Sequence, residues 1–283
     1  MKRLLLSLAI GLGAVASTSA IAATPVFNAQ QMAKTKIPEL NFKYIMRQFY
    51  SGQMVDVNAD LNHSPNIGLV DPDTQILKAV ALMRPVIEYK NASGETRYLV
   101  VIEKLMVNDG DLDTLLCRFC EASGDAYTFK RLDSGVYQLV SKSLPSIEFP
   151  EEFGRITFDS LSMRIGIEPI GKDLVGSIYK NMTDGYVQEV SSWWHVMHLP
   201  EDDYIDIYDL GDAGGNSTDY YEEGSPLAYK YDVAYKVLSD NKSKYYPIKM
   251  TYLGDMPNYD TGRIEYVNHS VIKKLNPAKK EYQ

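Results

Sequence analysis

Two histidines three residues apart, His195 and His198, follow the pair Trp193 and Trp194 and precede Glu201, Asp202 and Asp203. On a helix this spacing sets both imidazoles on one face near carboxylates, which is the arrangement of a metal site. On a strand an odd separation sends them to opposite faces, and Pro200 with the surrounding alternation favours a strand, so no metal is assigned. The tryptophans read as one core anchor and one surface aromatic. The alternative is a carbohydrate-binding face carrying Trp193, Trp194, His195 and His198.

Cys117 and Cys120 are the only cysteines, in a C-x-x-C spacing. In an oxidising compartment they read as a local disulfide worth about 2 kcal/mol by loop closure. Redox catalysis lacks the helix start that lowers a thiolate pKa, because Glu121-Ala122-Ser123-Gly124-Asp125 reads as a turn. A closed zinc site lacks a second cysteine pair. Residues 108–113 and 209–216 are rich in Asp, Asn and Gly and look superficially like calcium loops, but neither carries the EF-type ligand spacing, and turn chemistry explains the same composition. No G-x-S-x-G, H-E-x-x-H or phosphate-binding glycine loop is present, and no cofactor is called for.

The elements that must position these residues are mostly strands. Lys2 and Arg3, the apolar run 4–15 and Ala20-Ile21-Ala22 form a secretory signal, with cleavage expected before Ala23. The run is shorter than a bilayer span and no comparable one follows, so no membrane anchor is expected. Removing residues 1–22, which carry two basic residues and no acidic one, moves the formal net charge from −8 to −10. That charge disfavours nucleic acid and anionic lipid as partners. Twenty-one tyrosines against eight phenylalanines suit half-buried strands.

Within residues 28–50, Phe42, Ile45, Met46 and Phe49 fall on one helical face, and Pro38 divides the stretch into two short helices. Residues 58–74 read as a polar loop. From Val80 the period becomes two. Residues 98–105 are apolar on both faces and read as a central strand. Leu227, Tyr229, Tyr231, Val233, Tyr235 and Val237 alternate against charged residues, and Tyr246, Ile248, Met250 and Tyr252 repeat the pattern, a long hairpin with one face in the core. Further strands are expected at 80–89, 126–131, 136–141, 155–167, 187–197, 204–210 and 263–268, with a bulge or turn between Phe158 and Leu161. The fold class is all-β: antiparallel meanders, as a sandwich, barrel or propeller, with short N-terminal helices. The expected organisation is a signal over 1–22, helices and a polar loop over 23–78, and a β-rich domain over 79–283 whose outlines echo each other as halves 79–150 and 151–283.

The stretch Cys117-Arg118-Phe119-Cys120, then Tyr127-Thr128-Phe129, then Gly135-Val136-Tyr137-Gln138-Leu139, resembles an uncharacterised group of exported Gram-negative proteins, with looser agreement at Gly154, Arg164-Ile165-Gly166 and Gly185-Tyr186. The resemblance covers roughly residues 97–255 in outline. It implies export and a β fold, and it carries no activity or catalytic residues.

Export without an anchor, an acidic tyrosine-rich β fold and the lack of a hydrolase motif together lead to the expectation of a non-enzymatic periplasmic or secreted protein that binds another protein. An immunity protein or inhibitor facing a basic toxin or hydrolase is the concrete form. Acidic loops at Glu201 to Asp212 and Asp219 to Glu223 would form the face, with Asp202, Asp203, Asp206 and Asp209 supplying complementary charge and Tyr204, Tyr208, Tyr220 and Tyr221 the aromatic anchors. The alternative is an envelope carbohydrate-binding or carbohydrate-processing protein.

Overall fold

A computed structural model describes residues 26–59, 61, 64–107, 122–149, 154–156, 166–184, 190–222 and 224–283. The signal segment, Cys117, Cys120, Glu223, the 108–113 loop and the bulge expected near Phe158 lie outside the described residues.

Two short helices open the described chain. Asn28 caps α1 (Ala29–Met32) through the Gln31 N–H, and Asn41 caps α2 (Phe42–Phe49) through the Tyr44 N–H. The 3–4 spacing of α2 puts Ile45 and Met46 in the core. Strand β1 (Lys36–Ile37) lies between the helices, and β2 (Met54–Val55), β3 (Asn66–Val70), β4 (Leu77–Met83), β5 (Ile87–Lys90), β6 (Thr96–Met106), β7 (Ala122–Arg131), β8 (Tyr137–Lys142) and β9 (Ile147–Phe149) follow them. They make one nine-stranded sheet in the order β1-β8-β7-β6-β4-β3-β2, with β5 added to β6 and β9 to β7. The second sheet, also nine-stranded, takes β10 (Ile167–Gly171), β11 (Leu174–Asp184), β12 (Val190–Leu199), β13 (Asp206–Asn216), β14 (Lys230–Val237), β15 (Ile248–Asn258) and β16 (Arg263–Lys273) in sequential order, with β17 (Leu275–Asn276) paired to β18 (Glu281–Tyr282) and β18 to β13.

Strand alternation sorts most of the apolar core into three layers, and a smaller cluster of Val80, Leu82, Leu105 and Val107 lies apart from them. On β6, Val100 and Ile102 face the helices with Ile45, Met46 and Phe129, while Leu99 and Val101 face the second sheet with Val175, Met197 and Leu199. On β12, Met197 and Leu199 join that inter-sheet layer, and Val196 turns the other way, toward Ile178, Val233, Ile248 and Met250. The last layer is enclosed because the second sheet curls. The Tyr246 N–H donates to the Ile170 carbonyl at 2.7 Å and the Lys172 N–H to the Ser243 carbonyl at 3.0 Å, so the edge at β10 meets the segment before β15. Gly171 lies at this seam, where a Cβ would sit 1.9 Å from the Lys244 carbonyl oxygen.

The all-β class and the Tyr-rich hairpin are present: β14 pairs β15 with Val233 opposite Tyr252 and Tyr235 opposite Met250. Several local expectations need correction. The loop expected over 58–74 contains β3, whose Gly68 packs among Val55, Val57 and Leu77. The single strand expected over 80–89 is two, β4 and β5, because Pro85 cannot donate to a ladder. Strands β10 and β11 were not expected as such. The segment 209–216, expected as a turn, is the bulged β13. There Gly211 and Gly214 take φ of +105° and +134°, and the register to β12 shifts twice. The carboxylates of that segment serve the chain itself: Asp209 accepts the Gly211 N–H, and Asp212 accepts the Gly214 N–H and the Tyr231 hydroxyl. Among the described residues no helix is long and apolar enough to cross a membrane.

Candidate functional site

Where the mouth of the curled sheet meets the edge of the first sheet, the surface sinks into a cavity of about 310 Å³. Its lining divides into an apolar and aromatic interior, with Leu174, His198, Pro200, Tyr208 and Tyr245, and a charged rim. Lys172, Lys242 and Lys244 stand on the rim with Asp173, Asp202 and Asp203. Positive and negative rim charges are equal in number, and among the described residues none of the six is in an ion pair.

Both walls are tied to elements remote in sequence, and one is also braced locally. Pro200 ends β12, and the following bend is fastened to the first sheet. Arg97, itself only 5% exposed, donates from Nε to Glu201 Oε1 at 2.5 Å and from a terminal nitrogen to Oε2 at 2.9 Å, while Asn91 donates to the same carboxylate at 2.8 Å. Ser141 Oγ donates to the Asp203 carbonyl at 2.5 Å, and the Ile205 N–H to the Lys142 carbonyl at 3.0 Å. The opposite wall is the 240–245 turn. Asp240 accepts the Lys242 and Ser243 N–H groups at 2.9 and 2.8 Å and the Ser243 hydroxyl at 2.5 Å, which pulls its pKa down to about 2. The seam to β10 then fixes the turn to the curled sheet.

His198 forms the floor. Its Nε2 lies 3.1 Å from the Tyr282 hydroxyl, and its ring packs 4.3 Å from Tyr208 and stacks on Tyr245 at 5.4 Å and 26°. Burial, helped by Lys244, pushes its pKa down to about 3, so at neutral pH the ring is uncharged. Tyr208 is held above the ordinary tyrosine range by burial and by Asp206, so it too stays neutral. The Lys244 ammonium is favoured by Tyr245 and by the nearby Asp203 and Asp202 carboxylates. The result is a neutral aromatic floor under a rim of both charges, suited to hold an amphipathic group.

Residues expected to form one partner-binding face occupy three places. Asp202, Asp203, Tyr204 and Tyr208 line the cavity. Asp206 pairs with Lys280 at 2.8 Å, and Asp209 meets Glu281 across the β13–β18 ladder, so both belong to the C-terminal clasp. Tyr220 and Tyr221 contact each other beside a separate open depression with Glu222 and Gly224.

The alternative ligand face is split as well, because its residues alternate across β12. Trp194 turns inward and donates from Nε1 to the Val233 carbonyl at 2.8 Å, whereas Trp193 is 36% exposed on the other side. His195 lies 3.3 Å from Asn181 Oδ1 and packs against Tyr179 in the inter-sheet layer, with its pKa pushed down to about 4 by burial. Only His198 of these four reaches the cavity. Among the described residues no three His, Cys, Asp or Glu side chains converge on a point that could hold a metal ion.

Lys172, Lys242, Lys244, Tyr245 and Tyr282 were not among the expected site residues. Nothing in their local sequence separates them from ordinary turn and strand residues; the curl of the sheet brings them together. Elsewhere, Asp125 is buried but satisfied, accepting the Tyr50 hydroxyl and the Ser146 N–H and pairing with Lys104 at 2.7 Å. No family model matches the chain, and no curated protein or solved structure matches it.

Proposed function

We propose that the protein is an exported, non-enzymatic binding protein that captures another protein by seating one of its side chains in the His198 cavity. An immunity protein or inhibitor acting in the periplasm is the concrete form of this reading. The carrying observation is the cavity itself, with an uncharged aromatic floor, unpaired charges of both signs on its rim and walls already tied down before any ligand arrives. Pre-built walls lower the ordering cost of binding, and a central anchor in a desolvated pocket is how most protein interfaces concentrate their energy. His198, uncharged down to about pH 3, is poorly matched to proton transfer near neutrality, which favours binding over catalysis.

Because lysines match aspartates on the rim, a purely basic partner surface is not the best complement. An aromatic or long amphipathic side chain flanked by both charges is. The second reading is an envelope carbohydrate, favoured by Tyr204, Tyr208 and Tyr245 in one cavity with charged donors and acceptors around them. Affinity capture from periplasmic and secreted extracts separates the two. We expect one stoichiometric protein partner, whose capture falls at least about tenfold, one hot-spot residue's worth, in Tyr208→Ala or Lys244→Ala. Retention on insoluble peptidoglycan with no protein partner would move the assignment to carbohydrate.

A further inference from the structure

Strand β16 is the outer strand of the second sheet, and among the described residues its only ladder is to β15. It is eleven residues long, and its middle, 266–272, holds no acidic or lysine or arginine side chain. Tyr266 is 69% exposed and Ile272 58%, with Leu253 of β15 beside them at 50%. Long, uncharged edges are the ones that accept another strand, and natural edges are normally guarded by charge, proline or a bulge. Here the charges stand only toward the ends, at Arg263, Glu265 and Lys273.

The spacing of Glu265 and Lys273 is self-complementary. We propose that β16 pairs antiparallel with β16 of a second copy, about a two-fold axis through His269. In that register Glu265 of each copy lies opposite Lys273 of the other, Tyr266 opposite Ile272, and Val267 opposite Val271. Every charged side chain in this span meets its opposite and every large apolar one meets another, each twice, as an isologous contact requires. Neighbouring registers lose this match: moving the axis to Asn268 sets Arg263 against Lys273, and moving it to Ser270 sets Val267 against Lys273. His269 leaves the axis clear, since its ring lies flat on Tyr252 of β15 at 5.0 Å and 6°. The pair would join two second sheets into one continuous sheet and bring the two Leu253, Tyr266 and Ile272 patches together on one face.

Sedimentation velocity of the purified protein across a micromolar-to-submillimolar series tests this. The expected result is a reversible monomer–dimer transition. Glu265→Lys alone, and Lys273→Glu alone, should each move its midpoint about tenfold to higher concentration, since each sets two like-charged pairs in the seam. The double swap, Glu265→Lys with Lys273→Glu, should restore it. Tyr266→Lys, at a position 69% exposed, should weaken the dimer in the same way. A monomer at every concentration would overturn the proposal. So would a dimer indifferent to the single changes, or one that folded double-swap protein fails to recover.

Discussion

His198 and His195 are buried on opposite faces of one strand, and both stay neutral well below the usual histidine range, with pKa values of about 3 and about 4. In the unfolded chain each would take up a proton near pH 6.5. Between that pH and their folded values the unfolded state binds more protons, so stability is complete above about pH 6.5 and falls as the pH drops below it. Each histidine can contribute at most about 1.4 kcal/mol per pH unit in that window. Urea unfolding of His198→Phe should therefore lose less stability between pH 7 and pH 4.5 than the parent does. Parallel pH profiles for the two would show that His198 titrates in the folded protein as it does in water. Of the residues around it, Asp202, Asp203, Tyr204 and Tyr208 stand out in the sequence for their charge and aromatic rings, but as a face separate from His198, and the structure sets them round the same cavity. Lys172 and Tyr245 do not stand out, because no local pattern says which turn a curled sheet will bring over its own mouth.

At the level of elements, the seam of the curled sheet at Gly171 joins stability to the proposed binding. A methyl group there would lie 1.9 Å from the Lys244 carbonyl oxygen, a collision with backbone that must open the seam between β10 and the 240–245 turn. Gly171→Ala should lower stability by about 2 kcal/mol or more, a Tm drop of at least about 4 °C for a chain of this size. It should also weaken partner capture more than an equally destabilising change in the distant α2, such as Met46→Ala. Equal losses of capture in the two variants would separate the seam from the site. Legibility at this scale followed the alternation. The β14–β15 hairpin alternates cleanly and was readable. In β11, Gly176 and Ser177 interrupt the apolar pattern; Gly176 is required small by the Ile170 side chain and the Met197 carbonyl, which are contacts with other strands. The two histidines and two tryptophans of β12 were placed by parity alone, since a strand separates neighbours across its faces.

Across the whole molecule, two sheets share one apolar layer, and their polar fastening lies beside the cavity. Arg97 of the first sheet grips Glu201, the residue that opens the rim segment. The site therefore depends on both sheets: the first holds the 201–205 wall, and the second supplies the floor and the 240–245 wall. This is why the sequence pattern revealed the class of the fold, yet left the cavity to be found in the structure. Under the binding proposal this cavity, and not the tyrosine pair at 220–221, seats the partner. A photo-crosslinking side chain placed at Tyr204 and, separately, at Tyr220 tests it most directly, in extracts from the compartment where the protein works. The expected result is one protein adduct from position 204, suppressed by Lys244→Ala, and none from position 220. An adduct from position 220 alone would contradict it and move the interface to the far end of β13.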